Sequence, residues 1–217
     1  MMPRLDKDTA AKLNLHIKFL KESLFFEPQS ATLHYNLGVA YAQKGQIEEA
    51  LSELKQAVEC DPNLPQAYIN IGWLYLRKGN VEGCIEANLR AVELDPELHM
   101  AHSNLGVAYL QQGLYEKAIA SSRRAMELMP GSAQAYNTLS AAYLQTGNTQ
   151  GCVEASRAVL QLNPDYAPAH HNLAVALRME GRIQEARAHF DRAVELGYPV
   201  DPETEADWRS LSVEAST

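Results

Sequence analysis

The residues that could do chemistry are few, and three histidines are the most regularly spaced among them. His34, His102 and His170 lie 68 residues apart, and histidine is a common zinc ligand, which must come within about 2 Å of the metal. Packed helices lie about 8–10 Å apart, so if two helical units separate successive histidines, these lie about 20 Å from one another. His171 follows His170 directly, and adjacent residues on a helix point about 100° apart. We therefore interpret the histidines as packing residues and predict no metal site and no cofactor.

Two of the three cysteines share the same spacing. Cys84 and Cys152 are also 68 residues apart, too far by the same argument for a disulfide, which needs Cα atoms within about 7 Å. The favoured interpretation is two small buried side chains. The alternative is a reactive thiol near a helix start, where the helix dipole lowers the thiol pKa.

Catalytic motifs are missing from the sequence. It has no Walker loop, dinucleotide-binding glycine motif, H-E-x-x-H, paired C-x-x-C or nucleophile elbow, so we predict that the protein is not an enzyme. The net charge of −8 argues against non-specific binding of nucleic acid, which depends on Lys and Arg. The sequence contains no run of about 20 apolar residues, so no membrane span is predicted. The N-terminus also lacks an apolar signal core. We expect a cytoplasmic protein.

The elements that position these residues are set by an internal repeat. The stretch 33–62 has an apolar helical pattern, a glycine turn at Gly45 and a second apolar pattern that stops at Asp61-Pro62. It recurs every 34 residues without insertion or deletion, which is typical of a stacked array. The turn glycines are Gly45, Gly79, Gly113, Gly147 and Gly181.

These residues resemble the tetratricopeptide repeat (TPR), a helix–turn–helix unit with Leu-Gly, Tyr, Ala and Pro at fixed positions. The resemblance implies an all-α fold, a right-handed superhelical solenoid of antiparallel helix pairs. Five repeats are predicted at 31–64, 65–98, 99–132, 133–166 and 167–200. Residues 1–30 would form an N-terminal extension and capping helix, and residues 201–217 a C-terminal capping helix and tail.

A longer period of two repeats is superimposed on the 34-residue period. Repeats two and four share the pattern G-N-x-x-G-C-x-E-A, beginning at Gly79 and Gly147, which suggests duplication of a two-repeat unit. The late bulky position of the second helix is Leu54 in repeat one but Asn88, Ser122 and Ser156 in the middle repeats. This departure leaves the local packing of those repeats open.

Both ends carry capping signals. Asp8 or Thr9 can cap a helix that ends near Phe26, and an apolar stripe runs along it, but Leu15, Phe19 and Phe26 lie largely off that stripe. The helix is either an ordinary cap or a sticky end that docks on another copy or a partner. In the segment that begins at Asp201, the side chains of Trp208 and Leu211 can cover the open end of the array.

The resemblance places the first helices along a concave groove. Asparagines recur there in four of the five repeats; they could hold an extended peptide backbone, since an amide both donates and accepts, or they could bond the next repeat. Trp73 stands where the other repeats have Val or Ala and is the predicted anchor of the groove. The predicted peptide-binding residues are Tyr35, Asn36, Val39, Ile69, Asn70, Trp73, Leu76, Arg77, Asn104, Val107, Leu110, Asn137, Thr138, His171, Asn172 and Arg178.

The predicted function is therefore a non-enzymatic scaffold that binds a protein or peptide segment in this groove. The lysines with which some family members clamp acidic C-terminal chaperone peptides are missing here, so such peptides are not expected to bind. One alternative is self-assembly, in which the groove or the N-terminal helix binds another copy. A second alternative is a regulatory subunit of an enzyme complex.

Overall fold

A computed structural model describes residues 7–211, and this part of the chain is built from α-helices without strands. The helices are α1 (Lys7–Phe26), α2 (Ala31–Gln43), α3 (Ile47–Cys60), α4 (Pro65–Arg77), α5 (Val81–Leu94), α6 (His99–Gln111), α7 (Tyr115–Leu128), α8 (Ala133–Gln145), α9 (Thr149–Leu162), α10 (Ala167–Met179), α11 (Ile183–Glu195) and α12 (Pro202–Ser210). Within the described residues, no helix is both long and apolar enough to cross a membrane.

Each predicted repeat contains two helices joined by a tight turn. In repeat one, Gly45 has φ +78°, the left-handed conformation that only glycine adopts without strain. The Gly45 amide donates to the Ala42 carbonyl, and the Gln46 amide donates to the Tyr41 carbonyl at 2.9 Å. These bonds satisfy the last carbonyls of α2, so the turn glycine ends one helix and starts the next.

The chain divides into two compact units, residues 1–104 and 105–217. The division falls inside α6, within predicted repeat three, and not between two repeats. In the first unit, α1 contributes Ile17 and Leu20 to a core that also holds Leu37, Leu54 and Leu74. The predicted apolar stripe of α1 is therefore confirmed as its packed face. Asp8 lies in the first turn of α1, since this helix already includes Lys7.

The core of the second unit ends in an aromatic pair. Phe190 of α11 and Trp208 of α12 stack with ring centroids 4.4 Å apart and are almost fully buried. Leu211 packs against the same cluster. Trp208 and Leu211 thus pack on the core of the second unit, and α12 begins with Asp201 capping the Thr204 amide at 2.9 Å.

Candidate peptide-binding groove

In the first unit, α2 and α4 present most of the predicted groove residues at partly or fully exposed positions, which are Tyr35, Asn36, Val39, Asn70, Trp73, Leu76 and Arg77. We call this set the α2–α4 face. The Asn70 side-chain nitrogen donates to the Gln66 carbonyl at 2.8 Å and to the Tyr35 hydroxyl at 3.4 Å. These bonds orient the amide between the two helices while its oxygen keeps the capacity to accept a bond.

Trp73 is shared between the core and the surface. Its ring packs against the core of the first unit, and the Arg77 guanidinium lies 5.0 Å from the ring centroid, within the range of a cation–π contact. The side chain is partly buried. The indole is therefore held in place by the fold before any ligand arrives, which lowers the ordering cost of binding.

Two predicted residues of the first unit lie in its interior. Ile69 is 5 % exposed and packs with Ala91 and Ala101. Asn104 is also 5 % exposed, and its amide nitrogen donates to the Asn88 side-chain oxygen at 3.2 Å. Helix packing thus buries both side chains, and we correct the predicted site by leaving them out.

Two predicted groove residues of the second unit, Thr138 and Asn172, are buried as well. Thr138 is buried and donates to the Gln134 carbonyl at 2.9 Å. Asn172 is buried and donates to the Ser140 hydroxyl at 2.9 Å and to the Asn137 side-chain oxygen at 3.4 Å. These polar groups bond neighbouring residues of the fold, so we leave Thr138 and Asn172 out of the site. Val107, Leu110 and Asn137 stay partly exposed.

The two predicted residues of α10 that remain are covered by the C-terminal segment. The His171 ring stacks on Tyr198 with centroids 4.2 Å apart, and burial lowers its pKa. Arg178 pairs with Asp207 at 2.8 Å and lies 5.0 Å from the Trp208 ring centroid. Both side chains thus hold residues that follow α11, His171 through Tyr198 and Arg178 through Asp207 of α12. The sequence could not indicate this, because Tyr198 follows the last helix of repeat five and Asp207 lies outside the repeats.

The alternating histidines have a recurring structural role. A ring nitrogen of His34, His102 and His170 lies 2.9–3.1 Å from the carbonyl of the proline six residues earlier. Since a carbonyl only accepts, this Nε2 carries the proton, and each ring fastens the start of a first helix to the turn before it. Across residues 7–211, no cluster of three or more His, Cys, Asp or Glu is arranged to hold a metal ion.

The two aligned cysteines are buried and free. Burial raises the pKa of both thiols to about 11, so almost none of the nucleophilic thiolate exists near neutral pH. The interpretation as small buried side chains is confirmed, and the reactive-thiol alternative is wrong for Cys84 and Cys152.

The outward surface of α1 carries large apolar side chains among charged ones. Leu15, Phe19 and Phe26 are 61–80 % exposed, and Phe25, which the sequence analysis missed, is 83 % exposed. Large apolar side chains that share one exposed surface usually mark a contact site.

Comparison with known proteins agrees with this architecture. Models described as TPR repeat or tetratricopeptide repeat match residues 40–79, 74–113, 101–131, 133–166 and 167–197. A search of curated proteins finds no match.

Solved structures with the same fold cover most of the chain. The MamA protein is 25% identical with a TM-score of 0.68, over 82% of this chain and 94% of MamA. A MamA fragment from Desulfovibrio magneticus RS-1 is 24% identical with a TM-score of 0.69, over 76% of this chain and 94% of the fragment. YrrB, a TPR protein with an unusual peptide-binding site, is 18% identical with a TM-score of 0.72, over 88% of this chain and 97% of YrrB. Taken with the repeat models, these structures lead to one conclusion: the chain belongs to the tetratricopeptide repeat family.

Proposed function

We propose that the protein is a scaffold that binds a peptide or protein segment on the α2–α4 face, with Trp73 as the anchor. The observation that carries this proposal is the position of Trp73, which is packed on one side and partly exposed on the other. The other repeats fill the equivalent position with Val39, Val107, Ala141 and Val175. Helix packing at this position therefore does not require a large aromatic ring.

The chemistry of the face suits an extended segment with an apolar side chain. Trp73, Val39 and Leu76 offer apolar area, while the Asn36 amide offers a donor and an acceptor and the Asn70 side-chain oxygen offers an acceptor to a peptide group. Buried Trp residues often dominate the energy of such interfaces. YrrB, a protein of the same fold, has a peptide-binding site.

Trp73→Val tests the proposal, because valine is the residue of the sister repeats. Peptides selected from a random display library on the wild-type protein would supply the ligand. We expect the variant to keep its melting temperature and to bind such a peptide at least about tenfold more weakly, or 1.4 kcal/mol. Glu86→Gln, an exposed position on α5 away from this face, is the matched control. A large fall in melting temperature, or unchanged affinity, would show that Trp73 is not the anchor.

A second candidate function is self-assembly, which is favoured by the exposed apolar face of α1. A concentration-dependent molar mass in light scattering would support it. A mass that stays at that of one chain at all concentrations would exclude it.

A further inference from the structure

Asn70 of α4 stays partly exposed, whereas Asn104 and Asn172, which hold the same repeat position, are buried. The two buried amides find polar partners inside the fold. Asn104 donates to the Asn88 side-chain oxygen at 3.2 Å, and Asn172 donates to the Ser140 hydroxyl at 2.9 Å. Both amides are therefore bonded in the interior, as buried polar groups must be.

Repeat one offers Asn70 neither of these partners. The residue equivalent to Asn88 is Leu54, and the residue equivalent to Ser140 is Gly38. Neither has a side-chain atom that accepts a hydrogen bond. The space beside Gly38 is also filled, since a Cβ there would meet Leu54 Cγ at 2.7 Å. The amide of Asn70 therefore has no polar side chain to bond in the interior and lies at the surface of α4.

Both amide protons of Asn70 are used within the protein. Its side-chain nitrogen donates to the Gln66 carbonyl at 2.8 Å and to the Tyr35 hydroxyl of α2 at 3.4 Å. The Asn70 side-chain oxygen keeps its capacity to accept, and the Tyr35 hydroxyl, which accepts in this bond, keeps its own proton to donate. One acceptor and one donor, from first helices of two successive repeats, therefore stand side by side on the α2–α4 face.

The second unit contains the same inter-repeat contact in a closed form. Asn172 donates to the Asn137 side-chain oxygen at 3.4 Å. These two residues correspond to Asn70 and Tyr35, three repeats earlier. In the second unit the donating amide is buried and also bonds Ser140, and the accepting atom is an amide oxygen, which has no proton to donate. The contact between first helices thus recurs in the fold, and only its form in the first unit offers an exposed donor and acceptor.

An acceptor beside a donor matches the backbone of an extended chain. In a strand, the N–H and the C=O of one residue point to the same side and bond the same neighbour. One residue of a bound segment can therefore donate to the Asn70 oxygen and accept from the Tyr35 hydroxyl. Trp73 lies one turn after Asn70 and shares its helix surface, so the side chain of a nearby ligand residue reaches the indole.

We propose that Asn70 and Tyr35 form a clamp that holds the backbone of one ligand residue, next to the residue whose apolar side chain contacts Trp73. This inference rests on the proposed function and adds a specificity to it. The clamped residue needs a backbone N–H, which proline and N-methylated residues lack. The α2–α4 face therefore accepts an extended segment whatever the side chain of the clamped residue, and it rejects proline at that position.

The test uses a peptide selected on the wild-type chain and a set of analogues, each methylated at one backbone nitrogen, with affinities measured by calorimetry. We expect one analogue, methylated beside the apolar anchor residue, to bind the wild type at least about fivefold more weakly, the loss expected for one hydrogen bond. Tyr35→Phe should weaken binding of the parent peptide by a similar factor. Asn70→Ala should bind the parent and this analogue equally, because the acceptor for the N–H is gone.

Tyr68→Phe is the matched control, since it removes a hydroxyl of α4 that lines a different cavity, together with residues of α3 and α5. This variant should bind the parent peptide like wild type. Trp73→Val should weaken the binding of parent and analogue alike and keep the difference between them. Thermal unfolding followed by circular dichroism checks the fold of each variant. Tyr35→Phe removes a single oxygen atom, so it tests the clamp even if Asn70→Ala is unstable.

The outcomes separate the clamp from the proposed function. If no peptide binds, or if Trp73→Val leaves the affinity unchanged, the proposed function fails and the clamp fails with it. If Trp73→Val weakens binding but Tyr35→Phe does not, the clamp alone is overturned. The same conclusion follows if Asn70→Ala still discriminates against the methylated analogue, or if Tyr68→Phe has the same effect as Tyr35→Phe.

Discussion

The side chain of Asn88 fills the space that a Cβ on residue 72 would need. Gly72 of α4 faces Asn88 of α5, and its missing side chain lets the amide enter between the two helices. There the Asn88 nitrogen donates to the Cys84 carbonyl at 2.8 Å, and its oxygen accepts from Asn104 at 3.2 Å. The buried amide is thus bonded on both sides, as a polar group in a core must be.

Gly72→Ala should therefore destabilise the protein by about 1–3 kcal/mol, the usual cost of overpacking a filled site. Replacing Asn88 by the smaller serine should relieve most of the clash, since repeat four pairs Ser140 with Ser156 at these two positions. Urea unfolding of the two single variants and the double variant gives the coupling energy. Purely additive effects would contradict the proposed contact.

Asn88→Ala should cost about 1–3 kcal/mol for a different reason. It leaves the amide of the buried Asn104 without its acceptor, and an unsatisfied buried donor carries the full cost of its lost hydration. The measurement is again the free energy of unfolding. Ser52→Ala, on the exposed side of α3, is a suitable control and should change it by less than about 0.5 kcal/mol.

The C-terminal helix should contribute to stability mainly through one side chain. Trp208 is buried against Phe190, so Trp208→Ala should cost about 3–5 kcal/mol. Asp207, which pairs with Arg178 at a half-exposed site, should contribute less than about 1 kcal/mol. Comparing Trp208→Ala with Asp207→Asn in chemical unfolding separates packing from charge. Equal effects would show that the ion pair, and not the stacked ring, holds α12.

The repeat period was sufficient to predict the helix pairs and the turn glycines, because these depend on spacing and local geometry. The binding face was harder to predict. Position within a repeat does not reveal how deeply a neighbouring helix buries a side chain, so Ile69 and Asn172 were assigned to the groove although both are buried. Arg178 was assigned there because its partner, Asp207, lies outside the repeats.

Thiol reactivity offers a direct test of cysteine burial. Cys84 and Cys152 are fully buried, and burial raises their pKa to about 11, whereas Cys60 is partly exposed. In the folded protein at pH 8, a thiol reagent should modify Cys60 first and leave the other two unmodified until urea unfolds the chain. Mass spectrometry of the modified peptides identifies each site. Rapid labelling of Cys84 or Cys152 without urea would contradict the described packing.

A pair of histidines makes the stability of the fifth repeat dependent on pH. The Nδ1 atoms of His170 and His189 lie 2.9 Å apart. The other nitrogen of His170 donates to the Pro164 carbonyl, so in the neutral pair the proton between the rings belongs to His189. Burial, followed by the nearby His170 and Arg157, lowers the pKa of His189, while Glu185 raises it. Burial also lowers the pKa of His171.

A histidine whose pKa is lower in the folded state binds a proton more readily when the chain unfolds. The stability contributed by His189 and His171 is therefore fully present above their ordinary pKa of 6.5, and it is lost as the pH falls from there through the lowered values. We expect the free energy of unfolding to decrease between about pH 7 and pH 5 for this reason. His189→Glu should reduce the decrease, because it places a carboxylate opposite His170, as Glu53 stands opposite His34 at 2.7 Å. A pH dependence identical to that of wild type would show that His189 is not the titrating group.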